Sequence, residues 1–405
     1  TGKNTALGLQ AVANNTTGDR NSGVGFQALY ANTTGSDNNA FGFCALCSNT
    51  TGSYNVAFGG NPLYSNTTGS NNIAFGYKPL YSNTTGTNNT AAGFWALYSN
   101  TTGSYNTSFG SYALLANTTG NYNIAIGREA LFNNTIGGSN VASGYAALYS
   151  NSSGSFNSAY GSFALFGNTT GDFNTAIGRQ ALLRNTTGDS NVASGYASLL
   201  SNTTGSFNSA YGSFALSGNT SGNYNTAIGR QALYTNSTGG SNVASGYAAL
   251  YYNSSGSFNS AYGSFALFGN TTGDYNTAIG RQSLYRNTIG SNNTASGYAS
   301  LLSNTTGSYN SAYGSFSLFS NTTGAYNTAI GRQALVSNTT GISNTASGYV
   351  SLLSNITGAI TVHLGVLHYL QILLEIIILV LEDNLFITTL QETTTVLLAI
   401  KQAFL

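Results

Sequence analysis

Asn-x-Ser/Thr is the pattern in this chain with the most immediate chemical meaning. A landmark, usually Asn-Thr-Thr-Gly, starts at Asn15 and returns every 17 residues to Asn355. Of its 21 copies, 19 carry the triplet; Asn134 and Asn287 are followed by Thr-Ile instead. In a secreted protein such triplets accept N-linked glycans. Asn32, Asn49, Asn66, Asn83, Asn100, Asn117, Asn168, Asn185 and Asn202 are therefore candidate acceptors. Acceptors on adjacent coils of a stack would stand about 5 Å apart, too close for a glycan on each. A turn-forming Asn ladder accounts for the same letters.

A second set repeats every 51 residues. Arg128, Arg179, Arg230, Arg281 and Arg332 form one column, and Tyr145, Tyr196, Tyr247, Tyr298 and Tyr349 another. Phe163, Phe214, Phe265 and Phe316 keep the same interval. Aromatics beside cations suit stacking on sugar rings or bases. With a net charge of +1 there is no electrostatic footprint for nucleic acid, so glycans are the favoured partner of such columns. The alternative is recent duplication of a three-coil block whose variable surface packs laterally.

Catalytic constellations are not apparent. The acidic residues of the repeats, Asp19, Asp37, Glu129, Asp172, Asp189 and Asp274, are sporadic, and no column supplies paired carboxylates or a nucleophile with its base. His363 and His368 lie in a divergent tail. No Gly-Lys-Ser/Thr follows the glycines, so there is no phosphate loop. Cys44 and Cys47 form a lone C-x-x-C within one coil, short of the four ligands of a zinc site. No cofactor or metal is expected. Paired Thr suggests ice binding as a distant alternative, but adjacent Thr in a turn do not share one flat face.

The elements that position these columns follow from the period. With each unit numbered from its leading Gly (Gly18 as position 0), Asn stands at +3 from Asn21 to Asn344. Ala stands at +5 except at Gly23 and Ser108, Gly at +7, a small residue at +10, Leu at +11 and Asn at +14. Pro62 and Pro79 are early departures at +10. Asn-Thr-Thr-Gly has the preferences of a type I turn, and the +7 Gly marks a second break. Between the breaks lie two short segments, such as 174–178 and 181–185. Seventeen residues are too few for a helix pair, and this density of Gly, Asn and Thr opposes helix. The expected fold is all-β: a parallel β-solenoid, or β-roll, of about twenty coils with two short strands per coil. Coils at about 4.8 Å would build a rod on the order of 100 Å, with a surface pattern every ~14 Å. Leu and Ala ladders would fill a thin interior, and Asn ladders would pass amide hydrogen bonds from coil to coil.

Charged residues make up only 5% of the chain, and Gly accounts for 51 of 405 positions. Solubility then rests on hydroxyls and amides. Thr1-Gly2 already sits inside a repeat and no Met occurs, which points to a processed or partial chain. Residues 1–358 read as the repeat array, with the three-coil block from about 111. Residues 359–405 turn apolar, but the uncharged run Ala359 to Leu374 is 16 residues, short of the ~20 a spanning helix needs, so a membrane partner is not expected. The period explains the tail better. Glu375 and Glu392 keep step with Gly358, and Asp383 with Arg332. Asn-Thr-Thr-Gly encoded AAT ACT ACT GGA A, read one base late, is ATA CTA CTG GAA: Ile-Leu-Leu-Glu, residues 372–375. The tail thus reads as a frame-shifted continuation in which His363 and His368 are accidental.

The string Asn123-Ile-Ala-Ile-Gly127-x-x-Ala130, with copies at Asn174 and Asn225, resembles the head repeats of YadA-like trimeric autotransporter adhesins. It is also similar to repeat arrays in bacterial surface proteins and phage tail-fibre-like proteins. The resemblance covers roughly residues 1–358; the coil here is longer, owing to its Asn-Thr-Thr-Gly turn. It implies a parallel β-roll, often trimeric, used for adhesion or as a fibre shaft. The expected function is an extracellular or cell-surface structural filament assembled head to tail. The alternative is an adhesin or tail-fibre shaft that binds surface glycans through its Tyr and Arg columns.

Overall fold

The computed structural model describes residues 3–364 and, beyond them, the backbone of three strands, Ile377–Leu381, Asn384–Thr388 and Thr395–Leu398. The chain divides into two compact units, Thr1–Ser206 and Phe207–Leu405. Each is a parallel β-solenoid. The first holds twelve strands, β1 (Thr5–Leu7) through β12 (Val192–Ser194). In the second, ten parallel strands run from β13 (Ser209–Tyr211) to β22 (Thr361–Leu364). No helix occurs among the described residues.

Within a unit every strand pairs in parallel with its counterpart one repeat on, as Thr175, Ala176 and Ile177 do with Val192, Ala193 and Ser194. The strand is the +4 to +6 triplet. A β-branched or hydroxyl residue and an outer apolar or Ser residue flank a buried Ala, giving the half-buried, buried, exposed pattern of Thr175–Ile177. This is the two-residue alternation of a pleated strand with one dry face. The +7 Gly ends it. Gly178 has φ of 120°, and a Cβ there would meet Gly195 O at 2.8 Å. Stacked coils leave no room for a side chain at this corner.

One expectation is corrected here. Each coil has one strand, not two. After Gly178 the chain enters a run of tight turns, residues 179–184, in which Gln180 and Leu182 hold left-handed φ of 60° and 52°. Left-handed residues curl the backbone and cannot extend it as a strand. The turn ribbon still bonds to both neighbours: Gln180 N donates back to Ser162 O and Leu182 N forward to Ser198 O, each at 3.0 Å. A left-handed non-Gly residue costs about 1–2 kcal/mol. Complete burial of Leu182, worth about 1.5–3 kcal/mol, offsets that cost in the coil.

The interior is the set of invariant columns. In the coil beginning at Gly171, Asn174, Ala176, Ala181, Leu182 and Asn185 are all 0% exposed. Asn185 Nδ2 donates to Asn168 Oδ1 of the preceding coil at 2.8 Å and to Gly188 O at 2.9 Å. From the other wall Asn174 Nδ2 reaches the same Gly188 O at 2.8 Å, while Asn174 N donates to Asn157 Oδ1 at 2.9 Å. The buried amides are thereby paired, which matters because an orphaned buried donor or acceptor costs about 1–3 kcal/mol.

At the end of the second unit β22 keeps register, with Ala346 opposite His363. The backbone of Thr395–Leu398 pairs in parallel with β22, and Ile377–Leu381 pairs antiparallel with Asn384–Thr388. His368, Glu375, Asp383 and Glu392, which carry the frame-shift reading, lie outside the described residues. No helix among the described residues is long and apolar enough to cross a membrane.

Candidate functional surface

Because the fixed columns point inward, whatever the chain recognises must use the outer ones. The Arg and Tyr columns are both exposed and are brought together. Arg128 lies over the Tyr145 ring at 5.9 Å, Arg179 over Tyr196 at 5.9 Å, Arg230 over Tyr247 at 6.0 Å, Arg281 over Tyr298 at 6.0 Å and Arg332 over Tyr349 at 5.8 Å. Adjacent coils place +8 side chains one above the other, so a cation on one coil meets a ring on the next, a contact worth about 0.5–1 kcal/mol at an exposed site. Tyr145, Tyr247 and Tyr298 each also meet a Phe perpendicular to the ring. Tyr145 meets the edge of Phe163 at 5.1 Å, and Tyr247–Phe265 and Tyr298–Phe316 repeat this at 5.1 and 5.2 Å. The result is a repeated Arg–Tyr–Phe stack. Arg128 additionally pairs with Glu129 at 2.9 Å, where later blocks have Gln.

Two aromatic columns escaped the sequence reading. At +2, exposed rings stack in parallel pairs: Tyr105 on Tyr122 at 4.9 Å, Phe156 on Phe173 at 5.0 Å, Phe207 on Tyr224 at 5.1 Å, Phe258 on Tyr275 at 4.9 Å and Tyr309 on Tyr326 at 5.0 Å. These ten side chains are 51–61% exposed. The column flickers between rings and Ser or Asn, which hides it from a search for invariance; the 51-residue interval would have found it. At +12 a half-buried ladder runs Phe132–Tyr149–Phe166 in the first unit and Tyr234–Tyr251–Phe268–Tyr285 in the second. Earlier in the first unit Trp95 is stacked between Phe94 and Tyr98, and its Nε1 has no partner among the described residues.

On the strand face, exposed Tyr and Ile side chains sit side by side across paired strands. Tyr160 lies beside Ile177, Tyr211 beside Ile228, Tyr262 beside Ile279 and Tyr313 beside Ile330. Each pair recurs three coils on, with Ser between.

The Asn acceptors are placed differently from the glycosylation expectation. Asn32, Asn49, Asn66, Asn83, Asn100, Asn117, Asn168, Asn185 and Asn202 are all 0% exposed. In each, Nδ2, the atom a glycan would occupy, already donates into the interior. In the folded coil the ladder reading replaces the acceptor reading. Thr hydroxyls of the same turn are also engaged: Thr186 Oγ1 donates to Thr203 O at 2.9 Å, so this Thr column runs along the stack.

No family model, curated protein or solved structure matches the chain. Site chemistry therefore rests on the geometry itself. Among the described residues no group of three or more His, Cys, Asp or Glu is placed to hold a metal ion. Cys44 and Cys47 are buried free thiols, and burial together with Cys44 pushes Cys47 up to about 12, which makes it a poor nucleophile. Ser351 Oγ and His363 Nδ1 are 2.6 Å apart. Both are buried, and burial holds the imidazole below its ordinary value. His363 fills a place in the Ala column, and its hydroxyl contact satisfies a polar ring in the core rather than presenting a nucleophile to solvent.

Proposed function

We propose that this chain is a structural element of an extracellular filament or fibre shaft, assembled by head-to-tail stacking of solenoid units. The observation that carries the reading is the polarity and equivalence of the coil-to-coil contact. At +14 each Asn donates toward the preceding coil and accepts from the following one, and the step Asn168–Asn185–Asn202 is the same as Asn304–Asn321–Asn338. A surface that offers donors on one side and matching acceptors on the other is complementary to itself, and such heterologous contacts build open filaments. The Tyr/Ile pairs of the strand face supply apolar area for lateral packing.

The test is electron microscopy of the purified chain over a range of concentrations. Unbranched polymers of one diameter, formed without added ligand, support the reading; a dispersed monomer at high concentration rejects it.

A second reading, glycan binding by an adhesin or tail-fibre shaft, has the exposed Arg–Tyr pairs in its favour. Against it, each stacked Tyr already has a guanidinium over its ring and, at Tyr145, Tyr247 and Tyr298, a perpendicular contact with Phe163, Phe265 or Phe316. Glycan-array binding lost on Tyr→Ala or Arg→Ala change in these columns would favour this reading over the filament.

A further inference from the structure

Beside the Arg128–Tyr145–Phe163 stack, the first unit carries a surface depression of about 540 Å³ lined by Phe163, Phe166, Gly167, Gln180, Leu183, Arg184 and Thr186. It exists because +13 has no side chain in this coil. Gly167 N donates to Leu183 O at 2.8 Å, and a Cβ on Gly167 would approach that oxygen to 3.0 Å. The wall is aromatic, with Phe163 and Phe166 at 5.7 Å and 64° to one another. Arg184 stands exposed on the rim and forms no ion pair among the described residues.

The same residues return 102 positions later in the second unit. Phe265, Phe268, Gly269, Gln282, Arg286 and Thr288 stand at the equivalent places, with Tyr285 for Leu183. Phe265 and Phe268 are 5.5 Å apart at 70°, and Gly269 N donates to Tyr285 O at 2.9 Å, but Tyr285 stacks flat on Phe268 at 5.1 Å and Tyr251 stacks on the same ring at 5.2 Å, so the wall is covered in this block. Arg286 is likewise exposed and without an ion pair among the described residues. The intervening block keeps Phe214, Gly218 and Gln231 but has Ser217 and Thr235 where the second Phe and the Arg would be. The block at Phe316 keeps the wall, Phe316 and Phe319 at 5.6 Å, but has Ser320 and Ser337 where the Gly and the Arg would be, so wall and cation do not vary strictly together.

An aromatic wall accepts the C–H face of a pyranose ring, an amide at the lip hydrogen-bonds its hydroxyls, and a guanidinium without a counter-charge calls for a carboxylate, which it can grip with two parallel N–H bonds. A neutral sugar leaves the cation without a role. A nucleic acid would need many more cations than a chain of net charge +1 supplies. We propose that the Phe163–Arg184 depression is a subsite for a carboxylated sugar residue of an acidic polysaccharide. The stack is: ring on Phe163 and Phe166, hydroxyls on Gln180, carboxylate on Arg184. This inference does not depend on filament formation, and it uses an Arg outside the columns of the second reading.

The test is titration calorimetry of the full chain with a hexamer of galacturonic acid, against a neutral glucan hexamer of equal length. The expected result is one equivalent of oligouronate bound per chain, weak or no binding of the glucan, and affinity at least about tenfold lower in Arg184→Gln, the size of one lost charge-assisted contact. The substitution is at an exposed rim and leaves the strand signal in circular dichroism unchanged. Wild-type chain that binds no oligouronate overturns the proposal. So does undiminished binding by Arg184→Gln, or equal weakening by Arg332→Gln, which would mark bulk charge rather than a site.

Discussion

Asn185 Nδ2 lies 2.8 Å from Asn168 Oδ1, and Asn202 Nδ2 lies 2.7 Å from Asn185 Oδ1, so one amide both donates and accepts along the stack. The chain's most repeated polar residue is thus a core residue. Its amide does in the interior what backbone bonding does at the strand, and it closes the turn through Gly188 O as well.

Replacing Asn185 by Ala removes the donor to Asn168 and the acceptor for Asn202 in one step. The expected cost is about 1–3 kcal/mol for the buried groups left without partners. Because solenoid coils contact only their neighbours, the loss should be local. Native-state hydrogen exchange would show faster exchange in residues 168–205 with little change in coils several repeats away. Unchanged protection there would mean that the ladder adds no stability.

The left-handed turn residues make an unusual prediction about glycine. Ser190 has φ of 56°, and its N donates to Asp172 O at 2.9 Å. Ser190→Gly keeps that bond and relieves a conformation that costs about 1–2 kcal/mol for a residue with a Cβ. It should be neutral or stabilising. Ser194→Gly, four residues on in the strand Val192–Ser194, should destabilise by about 0.5–1 kcal/mol. Chemical denaturation of both variants checks the difference in sign.

These two cases also show how far the letters carried. Asn, Ala and Leu at fixed spacing identified the ladders and the core, because burial tolerates so few side chains there. The second strand was misread because Gln180 and Leu182 carry no sequence mark of a left-handed conformation; neighbouring coils impose it. The stacked pairs at +2, such as Phe156 on Phe173, were missed because an outward column is free to vary. Asn-Thr-Thr letters fit an acceptor and a buried turn equally well, and only the placement of Nδ2 separates the two.

When the chain is expressed in a glycosylating host, the folded, stacked protein should have the unmodified mass at Asn32, Asn185 and the other buried acceptors. A glycan on Nδ2 would have to displace an interior hydrogen bond. Intact-mass spectrometry with peptide mapping reads this out, and a glycan at Asn185 in folded material would contradict the ladder.

His363 gives the last described coil a pH dependence. Burial lowers its folded-state value below the ordinary 6.5. The unfolded state then binds more protons as pH falls through that range, so the coil loses stability on acidification and regains it above the unfolded value. Hydrogen exchange across residues 345–364 should quicken below about pH 6.5. His363→Ala, which restores the residue of the column, should remove the effect. A dependence that survives the substitution would assign it to another group.

The central claim is that equivalent coils stack by one polar, self-complementary contact into a fibre. Cryo-electron microscopy of the purified chain tests it most directly. The account predicts uniform filaments with a layer line at about 4.8 Å along the axis, the spacing of parallel strands, continuous from one molecule to the next. Particles that remain separate at every concentration, or filaments in which that spacing breaks at each junction between molecules, would contradict it.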